Sequence, residues 1–343
     1  MALFLSAFPV TRSIQRSILL DPGSPESRIC ELMFAPAQPH VDFPPRLCYA
    51  PGYHHNGRQQ NMKTIAYFNG QFLPKDTISI SPDDRGFLFA DGLYEVIRCY
   101  NGRPFQLEAH LERLARGAAY LRFQADGYGD LGAVCHRLLA ENGLTEADAL
   151  IYIQVTRGAP FPRLHHFPPE GTPLTVYAAA QAFQPNPQIA QQGLTVAMVP
   201  DQRWVRCDIK TVSLTANILA AQQAKEKGAA EALLVRDGCI MEGSKSSFLI
   251  VSRGTVIAPP LTNYILGSVS RQVVETLCRE NDIPFSAEPI YQEQLTAADE
   301  LMLAGTTLEV TPVVSVVGLD RTWPAGSVTR RLQDAFRQRI ASL

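Results

Sequence analysis

Apolar and polar residues follow clear periodic patterns from Met62 onward. The segments IAYFNGQFLP and YEVIRCYNGRPFQL alternate with period two around Asn69-Gly70 and Asn101-Gly102, which predicts two β-hairpins. Apolar residues then recur at helical spacing, which predicts helices over 107–121 and 131–141. The strands ALIYIQVTRG and PLTVYAAAQAF follow, separated by the loop APFPRLHHFPPEGT. This half of the chain is therefore predicted to mix strands and helices.

The second half begins after QPNPQ (184–188), which reads as a linker between two domains. The expected elements are the strand LTVAMVP, a helix over 216–227 closed by Gly228, strands turning at Asp237-Gly238 and Arg253-Gly254, a helix over 270–281, a strand over 299–316 and a helix over 327–340. Strands and helices do not alternate regularly. We therefore expect an α+β fold with a smaller N-terminal domain, 62–183, and a larger C-terminal domain, 189–343.

Residues 1–61 have a different composition from the rest of the chain. They contain eight prolines, no lysine and little periodicity. The first twenty residues carry arginine and serine without an acid, as organelle transit peptides do, but Pro9 interrupts any helix there. We therefore expect a disordered extension or a start codon assigned too far upstream.

Composition excludes several classes of function. The length of 343 residues predicts roughly two domains, and the net charge of −2 gives no reason to expect nucleic acid or an anionic membrane as partner. No apolar run approaches the length of a membrane span. The seven cysteines are scattered and contain no CxxC, which argues against a disulfide framework or zinc site and fits a reducing cytosol.

Lys210 is the most unusual charged residue of the chain. It is one of only six lysines, against twenty-five arginines, and it follows Trp204, Val205, Cys207 and Ile209 in a stretch predicted to be partly buried. Burial of an amine is costly unless the amine is paired or has a chemical use. Lys210 is therefore a candidate catalytic residue.

Three other features would complement a catalytic lysine. Glu242 ends a predicted strand before a turn rich in glycine and serine. Residues 268–270 begin a predicted helix, whose free N–H groups can bind a phosphate. Arg163 and His165 are two residues apart in an extended loop, so their side chains point the same way and can hold a carboxylate. Each feature alone has an ordinary structural explanation, as a turn, a helix cap or a polar loop. Together with Lys210 they form the set that pyridoxal 5′-phosphate (PLP) chemistry needs.

Six motifs resemble one enzyme family. DDRGFLFADGLYEVIRCYNG, HLERL, RWVRCDIKTVSL, EGSKSSF, ILGSVSRQVV and LAGTTLEVTPV occur in the order typical of the class IV aminotransferases, the fold-type IV PLP enzymes, and the resemblance covers about 62–340. It implies a smaller N-terminal α/β lobe and a larger C-terminal mixed α/β lobe, with the active site between them.

The resemblance also implies a role for each site residue. Lys210 would form the Schiff base and move the α-proton, and Glu242 would pair with the pyridine nitrogen. The other expected contacts are Arg113, Val269, Ser270 and Thr306 at the phosphate, Leu266 behind the ring, Ser246 in the cofactor network, and Arg203 and Glu231 as supporting groups near the lysine. One departure is Ser247, which stands where the family often has asparagine.

The substrate class follows from two of the motifs. Tyr94, Arg163 and His165 are similar to the residues that trap the α-carboxylate in D-amino acid-specific members of the family, where the Arg-x-His loop reaches in from the other subunit. The resemblance therefore implies a homodimer that moves the amino group of D-amino acids such as D-alanine to 2-oxoglutarate or pyruvate, by a ping-pong mechanism.

Two kinds of alternative stay open. The first is another member of the family: a branched-chain L-amino acid aminotransferase, an (R)-amine transaminase or an aminodeoxychorismate lyase. The Arg-x-His pair argues against these, since an amine lacks the carboxylate that the pair would bind. The second is a non-catalytic binding protein that kept only the fold.

Overall fold

Residues 64–124 and 128–343 are described in the computed structural model of the protein, and the expectations for residues 1–61 lie outside them. The described residues form two sheets and seven α-helices. The first sheet contains β1 (Ile65–Phe68), β2 (Gln71–Pro74), β3 (Gly92–Tyr100), β4 (Arg103–Pro104), β5 (Ala149–Thr156) and β6 (Thr175–Ala182). Its order is β2-β1-β6-β5-β3-β4, and all neighbours are antiparallel.

Both predicted hairpins of this sheet are confirmed. The β1–β2 and β3–β4 connections turn at Asn69-Gly70 and Asn101-Gly102, with all four residues at positive φ. Asparagine and glycine adopt this backbone conformation most readily, and it matches the right-handed twist of the strands. A Cβ at Gly102 would also lie 1.9 Å from the Thr145 carbonyl oxygen, so only glycine fits there.

Three helices accompany the first sheet: α1 (Arg85–Phe89), α2 (Leu107–Tyr120) and α3 (Leu131–Glu141). Helices α2 and α3 cover one face, where Leu114 and Leu138 pack into a core with Ile97 and Ile151 of the strands. The apolar spacing that predicted these two helices is the spacing of this buried stripe. The opposite face keeps a half-buried row of tyrosines that includes Tyr94 of β3.

The second sheet contains the remaining nine strands. They are β7 (Leu194–Pro200), β8 (Glu231–Arg236), β9 (Cys239–Gly243), β10 (Ser247–Ser252), β11 (Thr255–Ala258), β12 (Phe285–Ala287), β13 (Ile290–Tyr291), β14 (Glu300–Gly305) and β15 (Glu309–Val316), in the order β12-β11-β10-β14-β15-β7-β8-β9-β13. The helices that accompany them are α4 (Pro187–Gln192), α5 (Thr215–Glu226), α6 (Val269–Glu280) and α7 (Ser327–Ala341). Helices α6 and α7 pack together against β14, while α5 packs on β7 and β8.

One predicted strand is wrong. Residues 299–316 are not continuous but form the antiparallel pair β14 and β15, with Gly305 opposite Glu309. The connecting turn is closed by the Leu308 N–H, which donates to the Gly305 carbonyl, and Glu309 takes a positive φ of 54°. Glutamate is an uncommon residue for that conformation, and the short run Gly305-Thr306-Thr307 gives only a weak turn signal. The hairpin brings Thr306 to its tip.

The chain passes from the first sheet to the second between Ala182 and Leu194. The expected linker, 184–188, overlaps the start of α4, where the Asn186 side chain accepts from the Gln188 N–H. The division into domains at this point stays a prediction. No helix in residues 64–124 or 128–343 is long and apolar enough to cross a bilayer.

A short backbone pairing joins β3 to the segment that carries Lys210. Leu93 forms an antiparallel bridge with Thr211, and the Tyr94 N–H donates to the Lys210 carbonyl at 3.2 Å. The Val212 N–H donates to the Gly92 carbonyl at 3.0 Å. This pairing fixes Tyr94 next to Lys210.

Buried salt bridges and hydrogen bonds hold the loop that carries Arg163 and His165. Asp91 accepts hydrogen bonds from Arg85 (2.9 Å) and from Arg157 (2.7 and 3.0 Å), and both guanidinium groups are buried. Arg85 also donates to the carbonyls of Leu164 (2.6 Å) and His165 (3.3 Å). Asp91 therefore orients the arginine that anchors the loop.

We expect Asp91→Asn to lower the free energy of unfolding by about 3–5 kcal/mol, because two buried arginines would lose their carboxylate. Urea denaturation measures the change. The exposed Asp76 makes no hydrogen bond or ion pair to the described residues, so Asp76→Asn should change stability by less than about 0.5 kcal/mol. Equal stability of Asp91→Asn and the wild type would contradict this role.

Candidate active site

One cleft collects most of the predicted site residues. It encloses about 800 Å³, a volume that includes open solvent at its mouth. The predicted residues that line it are Tyr94, Arg113, Arg203, Lys210, Glu242, Ser246, Leu266, Val269 and Thr306. They come from β3, α2, the segment between β7 and α5, the β9–β10 and β14–β15 connections and the start of α6, so residues far apart in the sequence share one cavity.

Lys210 is half-buried, as its sequence context predicts. Its Nζ lies 4.2 Å from the centre of the Tyr94 ring, which offers a cation its electron-rich face. The prediction that its whole segment is partly buried is wrong for Trp204 and Val205, which are 45% and 56% exposed. Trp204 is exposed because it lines the open cleft instead of a core.

Glu242 lies at the end of β9 and is buried. Its Oε1 accepts from Arg203 Nη1, and the Leu266 N–H lies 3.3 and 3.4 Å from its two oxygens. Burial raises the pKa of Glu242, and the charge and hydrogen bond of Arg203 offset this rise only in part. Arg203 also donates to both oxygens of Asp201.

Asp201 is a site residue that the sequence reasoning missed. Its side chain is fully buried, and it accepts from Arg203 and Arg236. Burial acts to raise the pKa of Asp201, but the hydrogen bonds and charge of Arg203 outweigh it and hold the pKa below its usual range. The spacing Asp-x-Arg after a strand is the only sequence signal for this pair.

The N-terminus of α6 faces the cleft. Ser268 caps the helix by accepting from the Arg271 N–H at 3.2 Å, which confirms the predicted helix start. The N–H groups of Val269 and Ser270 lie in the first turn and have no intrahelical acceptor. Val269 and Thr306 line the main cleft, while Ser270 lines a smaller cavity beside it.

Arg113 is held in place by a buried carboxylate. Its Nε and Nη2 donate to the two oxygens of Glu95 at 2.7 Å each, and its Nη1 donates to the Gly267 carbonyl at 3.1 Å. His110 Nδ1 lies 2.7 Å from Glu95, so the proton is assigned to Nδ1. Burial acts to raise the pKa of Glu95, but the hydrogen bonds and charges of Arg113 and His110 outweigh it and lower the pKa to about 2.

Glu231 does not line the cleft but fixes the turn after β9. It accepts from the N–H and hydroxyl of Ser244 and, at 3.2 Å, from the hydroxyl of Ser246. Asn217, which the sequence reasoning also missed, lines the cleft and donates to the Ser244 carbonyl at 2.8 Å. The Ser247 hydroxyl is buried in the cleft wall and has no partner among the described residues.

Arg163 and His165 do not line this cleft. The two side chains point the same way, as predicted, because both contact Phe89: the Arg163 guanidinium at 4.2 Å from its ring centre and the His165 ring at 5.3 Å. The loop around them is exposed and carries Phe161 and Phe167 on its surface, at 84% and 48% exposure. The expected carboxylate trap is therefore incomplete within one chain.

Comparison with known proteins places the chain among aminotransferases. The family model described as amino-transferase class IV matches residues 92–316. The chain is 37% identical over 283 residues to the D-alanine aminotransferase of Staphylococcus haemolyticus, which covers 81% of this chain and 99% of the relative. It is 34% identical over 279 residues to the D-alanine aminotransferase of Bacillus licheniformis, covering 80% of this chain and 96% of the relative.

Solved structures show the same fold. The branched-chain aminotransferase of Thermoproteus uzoniensis with norvaline has a TM-score of 0.72 at 26% identity, covering 81% of this chain and 95% of that one. The branched-chain amino acid aminotransferase of Escherichia coli has a TM-score of 0.74 at 24% identity, covering 80% and 94%. Because the identity to the Escherichia coli enzyme is only 24%, that comparison shows a common fold and nothing more.

Glu95→Gln should destabilise the protein by about 3–5 kcal/mol at pH 7, since it leaves Arg113 buried without a carboxylate. The pKa of Glu95 is lowered from 4.5 to about 2, so its stabilising effect is full above pH 4.5 and is lost as the pH falls through about 2. The difference in unfolding free energy between the wild type and Glu95→Gln should therefore shrink from pH 4.5 downward. Urea denaturation across this range measures it.

Glu112→Gln, on α2 next to Arg113, is the control for this substitution. Its side chain is 72% exposed and lies 3.9 Å from Arg116, so its loss should cost less than about 1 kcal/mol at every pH. A stability difference for Glu95→Gln that stays constant between pH 7 and pH 3 would contradict the proposed ionisation of Glu95.

Proposed function

The chain belongs to the class IV aminotransferases, and we propose that it transfers the amino group of D-amino acids, D-alanine among them, to 2-oxo acids. PLP, the cofactor expected from the sequence, is the cofactor of this family. The observation that carries the substrate class is the identity of 34–37% to curated D-alanine aminotransferases over about four-fifths of the chain. The side chains that line the cleft support an aminotransferase reaction on chemical grounds.

The donor set of the cleft fits PLP. PLP carries an aldehyde, a pyridine nitrogen and a phosphate. The cleft has matching groups: a half-buried lysine, a buried glutamate beside a backbone N–H, an open helix N-terminus and the unpartnered Ser247 hydroxyl. When bound, PLP supplies an electron sink for the carbanion formed at the substrate Cα. Lys210 would hold the cofactor and would take and return the α-proton with its Nζ.

Glu242 would face the pyridine nitrogen from the end of β9. Because burial raises its pKa while Arg203 opposes the rise, Glu242 is suited to share a proton with a ring nitrogen. Asp201 keeps Arg203 oriented, so the guanidinium supports Glu242 and does not compete for the ring. Leu266 would pack behind the ring.

The phosphate would lie at the N-terminus of α6. A helix N-terminus favours an anion. The phosphate would be held by the N–H groups of Val269 and Ser270, the hydroxyl of Thr306 at the β14–β15 turn and the guanidinium of Arg113. Glu95 neutralises part of the charge of Arg113 and fixes its direction. Ser246 and Glu231 would keep the adjoining wall of the cleft in place.

The α-carboxylate of the substrate would lie near Tyr94. We propose that Arg163 and His165 of a second copy of this chain complete its binding, because in one chain these side chains lie on an exposed loop away from the cleft. The exposed Phe161 and Phe167 beside them give that loop an apolar surface suited to an interface. The protein would then be a homodimer, and the scattered cysteines fit a cytoplasmic location.

The alternative within the family is an aminotransferase for branched-chain L-amino acids. Its support is the likeness to the branched-chain aminotransferase of Thermoproteus uzoniensis, at 26% identity. The Arg-x-His loop and the higher identity to D-alanine aminotransferases favour the D-amino acid reaction.

Purified protein supplied with PLP should show the visible absorbance of a lysine-bound cofactor. With D-alanine as donor it should aminate 2-oxoglutarate and release pyruvate. Lys210→Ala should lose both, because it removes the amine that holds the cofactor and moves the proton. Lys75→Ala, an exposed lysine outside the cleft, should keep both. Equal or faster turnover of L-leucine than of D-alanine would overturn the D-amino acid proposal.

Mixing two inactive variants tests the shared carboxylate site. Arg163→Ala and Lys210→Ala should each be inactive alone, but mixed dimers would contain one intact cleft built from both chains. Random reassortment should restore on the order of a quarter of the wild-type activity. Glu242→Gln mixed with Lys210→Ala should restore none, since both residues line the cleft of one chain. Unchanged D-alanine kinetics in Arg163→Ala would contradict the carboxylate role.

A further inference from the structure

A second lysine lines the same cleft as Lys210. Lys245 stands in the turn between β9 and β10, and it is exposed. Within residues 64–124 and 128–343 it makes no ion pair or side-chain hydrogen bond. The chain has only six lysines, so two in one cleft is a marked concentration.

The turn that carries Lys245 is rigid on both sides. Ser244 and Ser246, its neighbours, are buried and bonded to Glu231, and the Gly243 N–H donates to the Ser246 carbonyl at 2.6 Å. Asn217 holds the Ser244 carbonyl from α5. The backbone of Lys245 is therefore fixed at the cleft wall, while its side chain stays available to a ligand.

The charges of the cleft leave Lys245 without a counterpart. Among the described residues, Glu242 is the only acidic one that lines the cleft, and it is paired with Arg203. Arg113 is paired with Glu95 behind the wall. An unpaired, exposed ammonium at the rim of a substrate site attracts an anion. In the proposed function the phosphate and the α-carboxylate already have binding groups, so the remaining anion is one on the side chain of the substrate.

We propose that Lys245 binds the distal carboxylate of dicarboxylic substrates and so makes the enzyme prefer them. These substrates are acidic D-amino acids, such as D-glutamate, and the matching 2-oxo diacids. The inference rests on the proposed function, which it deepens by naming the side-chain class and the residue that selects it. Arginine in place of Lys245 would keep the charge, whereas serine would remove it.

The ratio of kcat/KM for D-glutamate to that for D-alanine tests this specificity in the PLP-loaded enzyme. Loss of a charge-assisted hydrogen bond should lower the ratio roughly tenfold to a hundredfold in Lys245→Ser. Lys245→Arg should keep most of the preference. Lys75→Ser removes one exposed lysine charge outside the cleft and should leave the ratio unchanged.

A binding measurement separates this proposal from the proposed function. Trp204 lines the cleft, whereas Trp323, the second of the two tryptophans, is fully buried, so fluorescence quenching reports on the cleft. Glutarate should bind Lys245→Ser about tenfold or more weakly than it binds the wild type, and pentanoate, which lacks the second carboxylate, should show no such change.

Two results would overturn the role of Lys245. One is an unchanged D-glutamate to D-alanine ratio in Lys245→Ser together with unchanged glutarate affinity. The other is weaker PLP binding with an unchanged ratio, which would assign the lysine to the cofactor phosphate. If the protein neither binds PLP nor turns over D-amino acids, the proposed function is refuted instead. The comparison of glutarate with pentanoate would still decide whether Lys245 binds a carboxylate.

Discussion

The candidate site depends on the short backbone pairing between β3 and the segment of Lys210. The bridge between Leu93 and Thr211 and the bond from the Tyr94 N–H to the Lys210 carbonyl join a strand of the first sheet to a segment that follows β7 of the second. Backbone hydrogen bonds of this kind hold donor and acceptor about 2.7–3.2 Å apart. They set the Tyr94 ring against the Lys210 amine and define one wall of the cleft.

Buried arginine–carboxylate pairs hold other parts of the cleft and the Arg-x-His loop. Glu95 orients Arg113, Asp201 orients Arg203, and Asp91 orients the arginine that anchors the Arg-x-His loop. Arginine suits this task because its planar group binds a carboxylate through two parallel hydrogen bonds and stays charged when buried. The chain thus uses arginine in these buried structural pairs. Two of the few lysines, Lys210 and Lys245, line the cleft, where a flexible and reactive amine is useful.

Much of the secondary structure could be predicted from local patterns, and the failures have specific causes. The Asn-Gly hairpins follow from residues that accept positive φ, and α2 and α3 follow from the spacing of one buried stripe. The β14–β15 hairpin was missed because Glu309 takes a positive φ with only a weak sequence signal for the turn. Trp204 was expected to be partly buried, but its surroundings are an open cleft, which local sequence does not reveal.

The sequence by itself determined the family, the hairpins and helices, and the residues whose chemistry suits PLP, because these depend on residue type and short-range spacing. Tertiary structure alone decided which of those residues meet. It gathered nine of them in one cleft, left Arg163 and His165 outside it, and supplied the partners Asp201, Glu95 and Asn217 that fix their orientation. The physical reason is that pairs such as Arg203 with Glu242 depend on strand order and register, which long-range packing sets and no local pattern encodes.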